Sequence, residues 1–427
     1  MSLLTAEKIV FTNYRLAGKF LHYSIIRDSE TSHYKIEIPP CFNKEIFAHF
    51  YKVVVCAQAL SFTLIAKKVV VDIELTPYIV DFIERIRNPF LSGSSVLAGK
   101  VLLAYPSIGQ LVLKTEYEDF SIEPEKEVDL NKIVLPYSMG KESMLSRLLL
   151  TESGYAVHPL FIDTGITDGE TPGKAIDVPF DFISINDAVT DDVSSVISEG
   201  VWDLPVNGIT LLVVSMCYAL SKDIGYVAMG CEYETTSLEF KGIYGSVSYG
   251  HTYSQSNFIF KEFERLIYNY NFPVKFFSPV QNFSTIIEEA YLYTFYPDKA
   301  ERQHSCDYYY IANDKLIPCR TCIKCDILNA ILVGLNTYRR SNKLKPFVSR
   351  HIVDEYAKEI KQNPAQHIEP FLSKEDQNEI EQLLKGNFIN TDLKFDYLHP
   401  GEFLPGKYCA FLIKKHEEFK KLWNLKK

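Results

Sequence analysis

The chain has 427 residues, too many for one small domain and enough for two or three with sizeable cores. Hydrophobic residues make up 47% and charged residues 23%, an ordinary globular balance that excludes a fibrous repeat and a largely disordered chain. A net charge of −9 excludes broad electrostatic attraction to nucleic acid, because neutralising phosphates needs clustered Lys and Arg.

Taken from its beginning, the chain opens on MSLLTAEKIVF, which lacks a basic segment, an apolar run and a small-residue cleavage site. A cytoplasmic location with reduced thiols is therefore expected. Residues 1–130 read as a strand-rich accessory α+β domain, from the runs HYKIEIPP, KVVVCAQ, FTLIAKKVVVDIEL and KVLLAYP between turn residues. The acidic stretch from Tyr117 to Asn131 then marks a change of composition, and a second domain is expected over 131–344.

In that second segment KIVLPYS reads as a strand, ESMLSRLLLTES as a helix with Gly154 at its C-terminal cap, and YAVHPLFID as the next strand. This is a βαβ unit, so the expected class is α/β with a doubly wound parallel sheet. FDFISI and GYVAMG supply further strands, with the helix GITLLVVSMCYALSK between them. That helix contains the longest apolar patch, Ile209 to Leu220, and Thr210 and Ser215 interrupt it, so a buried helix is expected and a membrane span is not. From 345 to 427 the chain reads as a polar helical region that packs on the core or on a partner, as in DEYAKEIKQ and SKEDQNEIEQLLKG.

Two clusters carry chemistry. Strand KIVLPYS runs straight into Ser138-Met139-Gly140-Lys141-Glu142-Ser143 and then a helix, so backbone N–H groups and the positive helix terminus converge on one point. Gly140 allows close approach of an anion, Ser138 and Ser143 offer hydroxyls, and Lys141 adds a point charge. A helix start capped by serine is the plain alternative. Asp163 closes the following strand at the edge where α/β sheets place ligand contacts, or it belongs to an ordinary turn.

The second cluster is Cys306, followed after twelve residues by Cys319-x-x-Cys322-x-x-Cys325. Four thiolates satisfy tetrahedral zinc, with Arg320 and Lys324 offsetting their charge, and a site filled by protein ligands is structural. An iron–sulfur cluster is the runner-up. The remaining cysteines, Cys41, Cys56, Cys217, Cys231 and Cys409, are read as small buried hydrophobes, with Cys231 weighed also as a nucleophile.

The six-residue loop resembles the S-G-G-x-D-S loop of the PP-loop ATP pyrophosphatases, with Met139 in place of a glycine and Glu142 in place of an aspartate. Together with the downstream cysteines, the order of elements over about 132–335 is similar to the QueC family of 7-cyano-7-deazaguanine synthases. Asn207 falls in the segment similar to that family's V-P-G-R-N, Glu232 in its G-x-C-E strand end, and Cys306 in its S-C-Y. The resemblance implies ATP and Mg2+ as cofactors beside Zn2+, with adenylation of the carboxylate of a 7-deazaguanine and its transfer to an amine. In the family proper the amine is ammonia and the product a nitrile; extended members are associated with antiphage systems of the Qat and type IV CBASS classes, which implies a partner protein amine as the other acceptor. The flanking segments would recruit that partner, or would stabilise a homodimer. The stretch His251-Thr252-Tyr253-Ser254-Gln255-Ser256 is similar to the H-x-x-S-x-S of PP-loop proteins of the MurL family, a competing substrate class in which His251 contacts substrate. A nucleotide-binding scaffold without turnover stands as the non-enzymatic alternative.

Overall fold

The structure is a computed structural model that describes residues 6–63, 65–97, 109–114, 120, 127–163, 179–184, 205–231, 241–243, 246–248, 255–304, 309–312, 315–319, 322–349, 374–387 and 404–425. Strands β1 (Ala6–Ala17), β2 (Phe20–Arg27) and β3 (Glu30–Glu37) form an antiparallel meander. Gly18, at φ +62°, supplies the left-handed residue of the first hairpin turn. Helix α1 (Lys44–Phe62) returns the chain to β4 (Ala66–Val71), parallel to β1, and α2 (Pro77–Leu97) leads to β5 (Gln110–Leu113), parallel to β4. The sheet order is β3-β2-β1-β4-β5.

The run KVVVCAQ, expected as a strand, lies inside α1. Its three valines favour a strand locally, but residues 46 to 62 of this helix are all buried, and a helix apolar on every side belongs inside a core. Asn43 caps it, its side chain accepting the N–H groups of Glu45 and Ile46 at 3.1 Å each. KVLLAYP lies outside the described residues, as does DEYAKEIKQ.

The second sheet is wholly parallel, as the βαβ pattern predicts. Its strands are β6 (Asp129–Pro136), β7 (Ala156–Asp163), β8 (Asp181–Ser184), β9 (Ile224–Ala228) and β12 (Lys275–Phe277), in the order β12-β9-β6-β7-β8. Helices α3 (Lys141–Glu152), α4 (Pro205–Ser221), α5 (Asn257–Tyr268) and α6 (Thr285–Phe295) accompany it. Two small hairpins, β10 (Lys241–Ile243) with β11 (Ser246–Ser248) and β13 (Tyr309–Ala312) with β14 (Lys315–Pro318), stand apart from the sheets. After the short α7 (Pro297–Ala300) come α8 (Ile323–Ser341), α9 (Lys374–Leu384) and α10 (Gly406–Leu422).

Both faces of the parallel sheet are covered, which explains why KIVLP is continuously apolar. Val134 faces a core shared with α1, α2, α4 and α5, whereas Ile133 and Leu135 face a core built with α3, α6, α8 and α10. The first of these cores also contains buried residues of β1 to β4, and two helix layers, α1 and α2 on the first sheet and α4 and α5 on the second, pack on each other between the sheets. Polar contacts fix the join: Asn43 N–H donates to Ser221 Oγ at 2.9 Å, and Tyr270 OH meets His49 Nε2 at 2.9 Å and Thr76 Oγ1. On the other face α10 is held by Tyr408 OH to Pro279 C=O at 2.8 Å and Trp423 Nε1 to Thr294 Oγ1 at 2.9 Å.

Candidate functional site

In the parallel sheet the strand order reverses between β6 and β9, and ligands in such sheets bind at the carboxyl ends of the strands beside the reversal. Residues 138–143 lie there, running from the turn after β6 into the first turn of α3. The chain after β9 packs against them so closely that a β-carbon on Gly230 would sit 2.8 Å from Glu142 C and Ser143 N. Glycine at 230 is thus a packing requirement of the loop.

Within the loop, Ser138 is exposed and its Oγ accepts the Gly140 N–H at 3.4 Å. Met139 adopts φ +64°, a left-handed conformation in which a glycine would be unstrained. Its side chain is 2% exposed and joins the second core, leaving the loop's outer surface to backbone. Gly140 occupies the N-cap of α3 without a side-chain cap, and Ser143 Oγ donates to the Gly140 C=O at 3.1 Å. Uncapped N–H groups at a helix start are a general anion-binding arrangement.

Lys141 is buried, and its ammonium lies 2.5 Å from Glu142 Oε1 and 2.9 Å from Oε2 of Glu288, a fully buried residue of α6. Burial works to raise the Glu142 carboxyl, but the Lys141 ammonium and hydrogen bond, helped by the loop backbone and Lys324, hold it below the usual carboxylate value. Beside Glu288, Glu289 accepts from Gln303 Nε2 at 2.8 Å in an equally buried setting. Sequence reasoning passed over Glu288. Its only sign was a pair of acids inside the apolar helical run TIIEEAYLY.

Asp163 ends β7 on the same carboxyl edge and is half-buried, and Asn207 stands half-buried in the first turn of α4. Glu232, His251 and Cys306 lie outside the described residues. The chain does reach towards Cys306 from the loop: His304 N–H donates to the Met139 C=O at 2.7 Å.

Cys319, Cys322 and Cys325 come together, with their sulfurs within 4.8 Å of one another and Cys322 Sγ 3.6 Å from Cys325 Sγ. Thiolates about 2.3 Å from a tetrahedral ion are separated by about 3.8 Å, so the spacing suits zinc. Cys322 caps the start of α8 with extended backbone, which turns it towards Cys325 one turn on. Lys324 is exposed between them, and its charge contributes to holding the Glu142 carboxyl down. Of the other cysteines, Cys56, Cys217 and Cys231 are buried, and burial pushes the Cys56 thiol up to about 12, as inert core residues require. Cys231 has its backbone clamped by Ser278, whose Oγ donates to its C=O at 2.6 Å.

No protein-family model matches the chain, and no curated protein is significantly similar to it. The fold and the cysteine triad define an α/β protein with a five-stranded parallel sheet and a cluster able to hold a metal ion. Among the described residues no helix is long and apolar enough to cross a membrane.

Proposed function

We propose that the protein is an ATP-dependent ligase of the PP-loop type, which adenylates a 7-deazaguanine carboxylate and passes it to an amine carried by a partner protein. The observation that carries this reading is the position of loop 138–143 at the reversal between β6 and β9, where the start of α3 carries no side-chain cap. The β- and γ-phosphates would rest on the loop backbone and leave as pyrophosphate as the substrate carboxylate attacks the α-phosphorus. The resulting acyl-adenylate then yields to the amine, and AMP departs with the bond to the acyl carbon. Catalysis of this kind is positioning and charge stabilisation.

Magnesium, when bound, would offset the charge of the leaving pyrophosphate, and Glu142 and Asp163 are the carboxylates this edge offers it. Zinc on the cysteines would serve to brace the start of α8 beside the loop. The pairing of Lys141 with Glu288 favours one rival, a scaffold that binds nucleotide without turnover, because the loop cation is engaged inward.

Pyrophosphate release, measured with ATP and 7-carboxy-7-deazaguanine, separates the two. Turnover is expected in the wild-type protein and is abolished by Ser143→Ala or Gly140→Val, the latter because a branched side chain would stand where the loop backbone has to approach the phosphates. Intact-mass spectrometry of co-expressed partners then reads the acceptor. An ATP-dependent mass gain on a protein supports conjugation, and a free amide or nitrile as the sole product returns the chemistry to nucleobase synthesis. Nucleotide binding without pyrophosphate release would establish the scaffold.

A further inference from the structure

The edge strand of a sheet offers unpaired backbone groups to other chains, and proteins ordinarily blunt it. The edge of β12 is closed in this way, because the Phe276 N–H donates to Glu264 Oε1 of α5 at 2.9 Å. Strands β5 and β8 adjoin residues outside the described ones. The remaining edge is β3, which belongs to the unbroken described stretch 6–63. It pairs with β2 over all eight of its residues, without a bulge and without proline.

Backbone alternation fixes which groups face outward. The Ile38 N–H donates to the Lys19 C=O at 2.8 Å, so in β3 the even-numbered residues exchange hydrogen bonds with β2. The N–H and C=O groups of Thr31, His33, Lys35 and Glu37 therefore point away from the sheet. All four residues are exposed, and among the described residues no backbone group pairs with theirs. Their side chains do not shield the edge, because the three long ones are drawn back over β2. His33 Nδ1 meets Ser24 Oγ at 2.9 Å, the Lys35 ammonium sits 3.7 Å from the centre of the Phe20 ring, and Glu37 binds Lys19 at 2.5 Å.

Charge decides the occupant. The acids of β3 stand at its two ends, Glu30 opposite Arg27 and Glu37 on Lys19, so the basic side chains of His33 and Lys35 set the character of its middle. A second copy paired antiparallel about a twofold axis at residue 33, 34 or 35 would set His33 against His33, His33 against Lys35, or Lys35 against Lys35. Like charges directly opposite are destabilising, whereas carboxylates opposite the same two residues are stabilising. On the inner face Tyr34, half-buried and stacked on Tyr23 with ring centroids 5.1 Å apart, offers an apolar contact to the residue between those carboxylates. We propose that β3 is a docking edge for an extended segment of a partner protein in which acidic residues alternate with apolar ones, added to the first sheet as a further strand. Strand β3 lies on the first sheet and loop 138–143 beside the second, so this docking needs neither ATP nor the ligase reading.

Fluorescence anisotropy on the full chain tests this with two labelled peptides of the length of β3 as probes, one alternating glutamate with valine and the other lysine with valine. Saturable binding is expected for the acidic peptide, with the basic one at least about tenfold weaker. Hydrogen exchange read by NMR should slow at the Thr31, His33, Lys35 and Glu37 amides when the acidic peptide is added. His33→Pro removes an outward N–H and none that pairs with β2, and Lys35→Glu reverses a charge. Each should weaken the acidic peptide by at least about tenfold. Near-UV circular dichroism checks both variants, and if His33→Pro misfolds, Lys35→Glu decides. No saturable binding by the acidic peptide, equal binding of the two peptides, binding unchanged in Lys35→Glu, or no slowing at the four amides would each overturn the assignment. So would a dimer of the free protein in sedimentation that His33→Pro dissociates, because the edge would then belong to a second copy.

Discussion

Met139 is where two residue-level forces oppose each other. Its left-handed backbone costs a residue with a β-carbon about 1–2 kcal/mol relative to glycine. Its buried side chain contributes about 1.5–3 kcal/mol of apolar burial. Burial wins, so Met139→Gly is expected to lower stability in urea unfolding by about 1 kcal/mol despite the relief of strain. A gain in stability would show that the side chain adds little to the core. The same balance explains how a loop can tolerate methionine at a left-handed position: the strain is met from the core side, and the outward side keeps its bare backbone.

Among the elements, the start of α8 and the whole of α10 bear on the site from different directions. The cysteine spacing was legible in the sequence because ligand geometry is local, and three of the four predicted ligands meet in the structure. About one zinc per chain is expected by mass spectrometry of the purified protein, and Cys322→Ser should lose metal and solubility together, because ligand removal removes folding free energy. An iron–sulfur absorption band with little zinc would refute it. The βαβ pattern was legible for the same reason of locality, whereas α1 was misread because an apolar run of Val53 to Cys56 carries no period that separates helix from strand. Glu288 escaped notice because its role depends on Lys141, distant in sequence and adjacent only in the fold.

Helix α10 clamps onto α3 through Lys415, 2.7 Å from Glu152 Oε1, and through Lys407, which donates to the Gly154 C=O at 3.1 Å. Partial burial raises the Glu152 carboxyl, but the hydrogen bonds from Lys415 and Tyr296 and the Lys415 charge bring it below its ordinary value. A depressed carboxyl contributes stability that is present above its unfolded pKa and lost as pH falls through the folded one. The docking of α10 should therefore weaken with acidification below the usual carboxylate range. Lys415→Met should flatten that pH dependence in unfolding experiments, and an unchanged profile would remove Glu152 from the account.

On the scale of the whole molecule, the two sheets cannot be treated as independent bodies, because one core runs through both. Phe82 packs on Phe263 with ring centroids 4.9 Å apart, Arg265 meets Asp81 at 3.3 Å, and the Tyr270 hydroxyl bridges His49 and Thr76. Calorimetry is expected to show both sheets melting in one transition, with Tyr270→Phe lowering its midpoint by the loss of about 1–3 kcal/mol of buried hydrogen bonding. Two separated transitions would show that the packing of α1 and α2 on α4 and α5 does not couple them. This dependence was not visible in the sequence. The acidic composition of residues 117–131 reads as a domain boundary, yet Phe120 within it is packed against His49 and Tyr270.

The hydrogen bond from the His304 amide to the Met139 carbonyl has a consequence for measurement. It is a single proton shared between loop 138–143 and the stretch that leads to Cys306, and its exchange with deuterium is governed by how often the two part. Anything that steadies the loop should slow that exchange, and chelation of a cysteine-bound metal should quicken it. One amide thus reports on both ends of the site at once, without turnover.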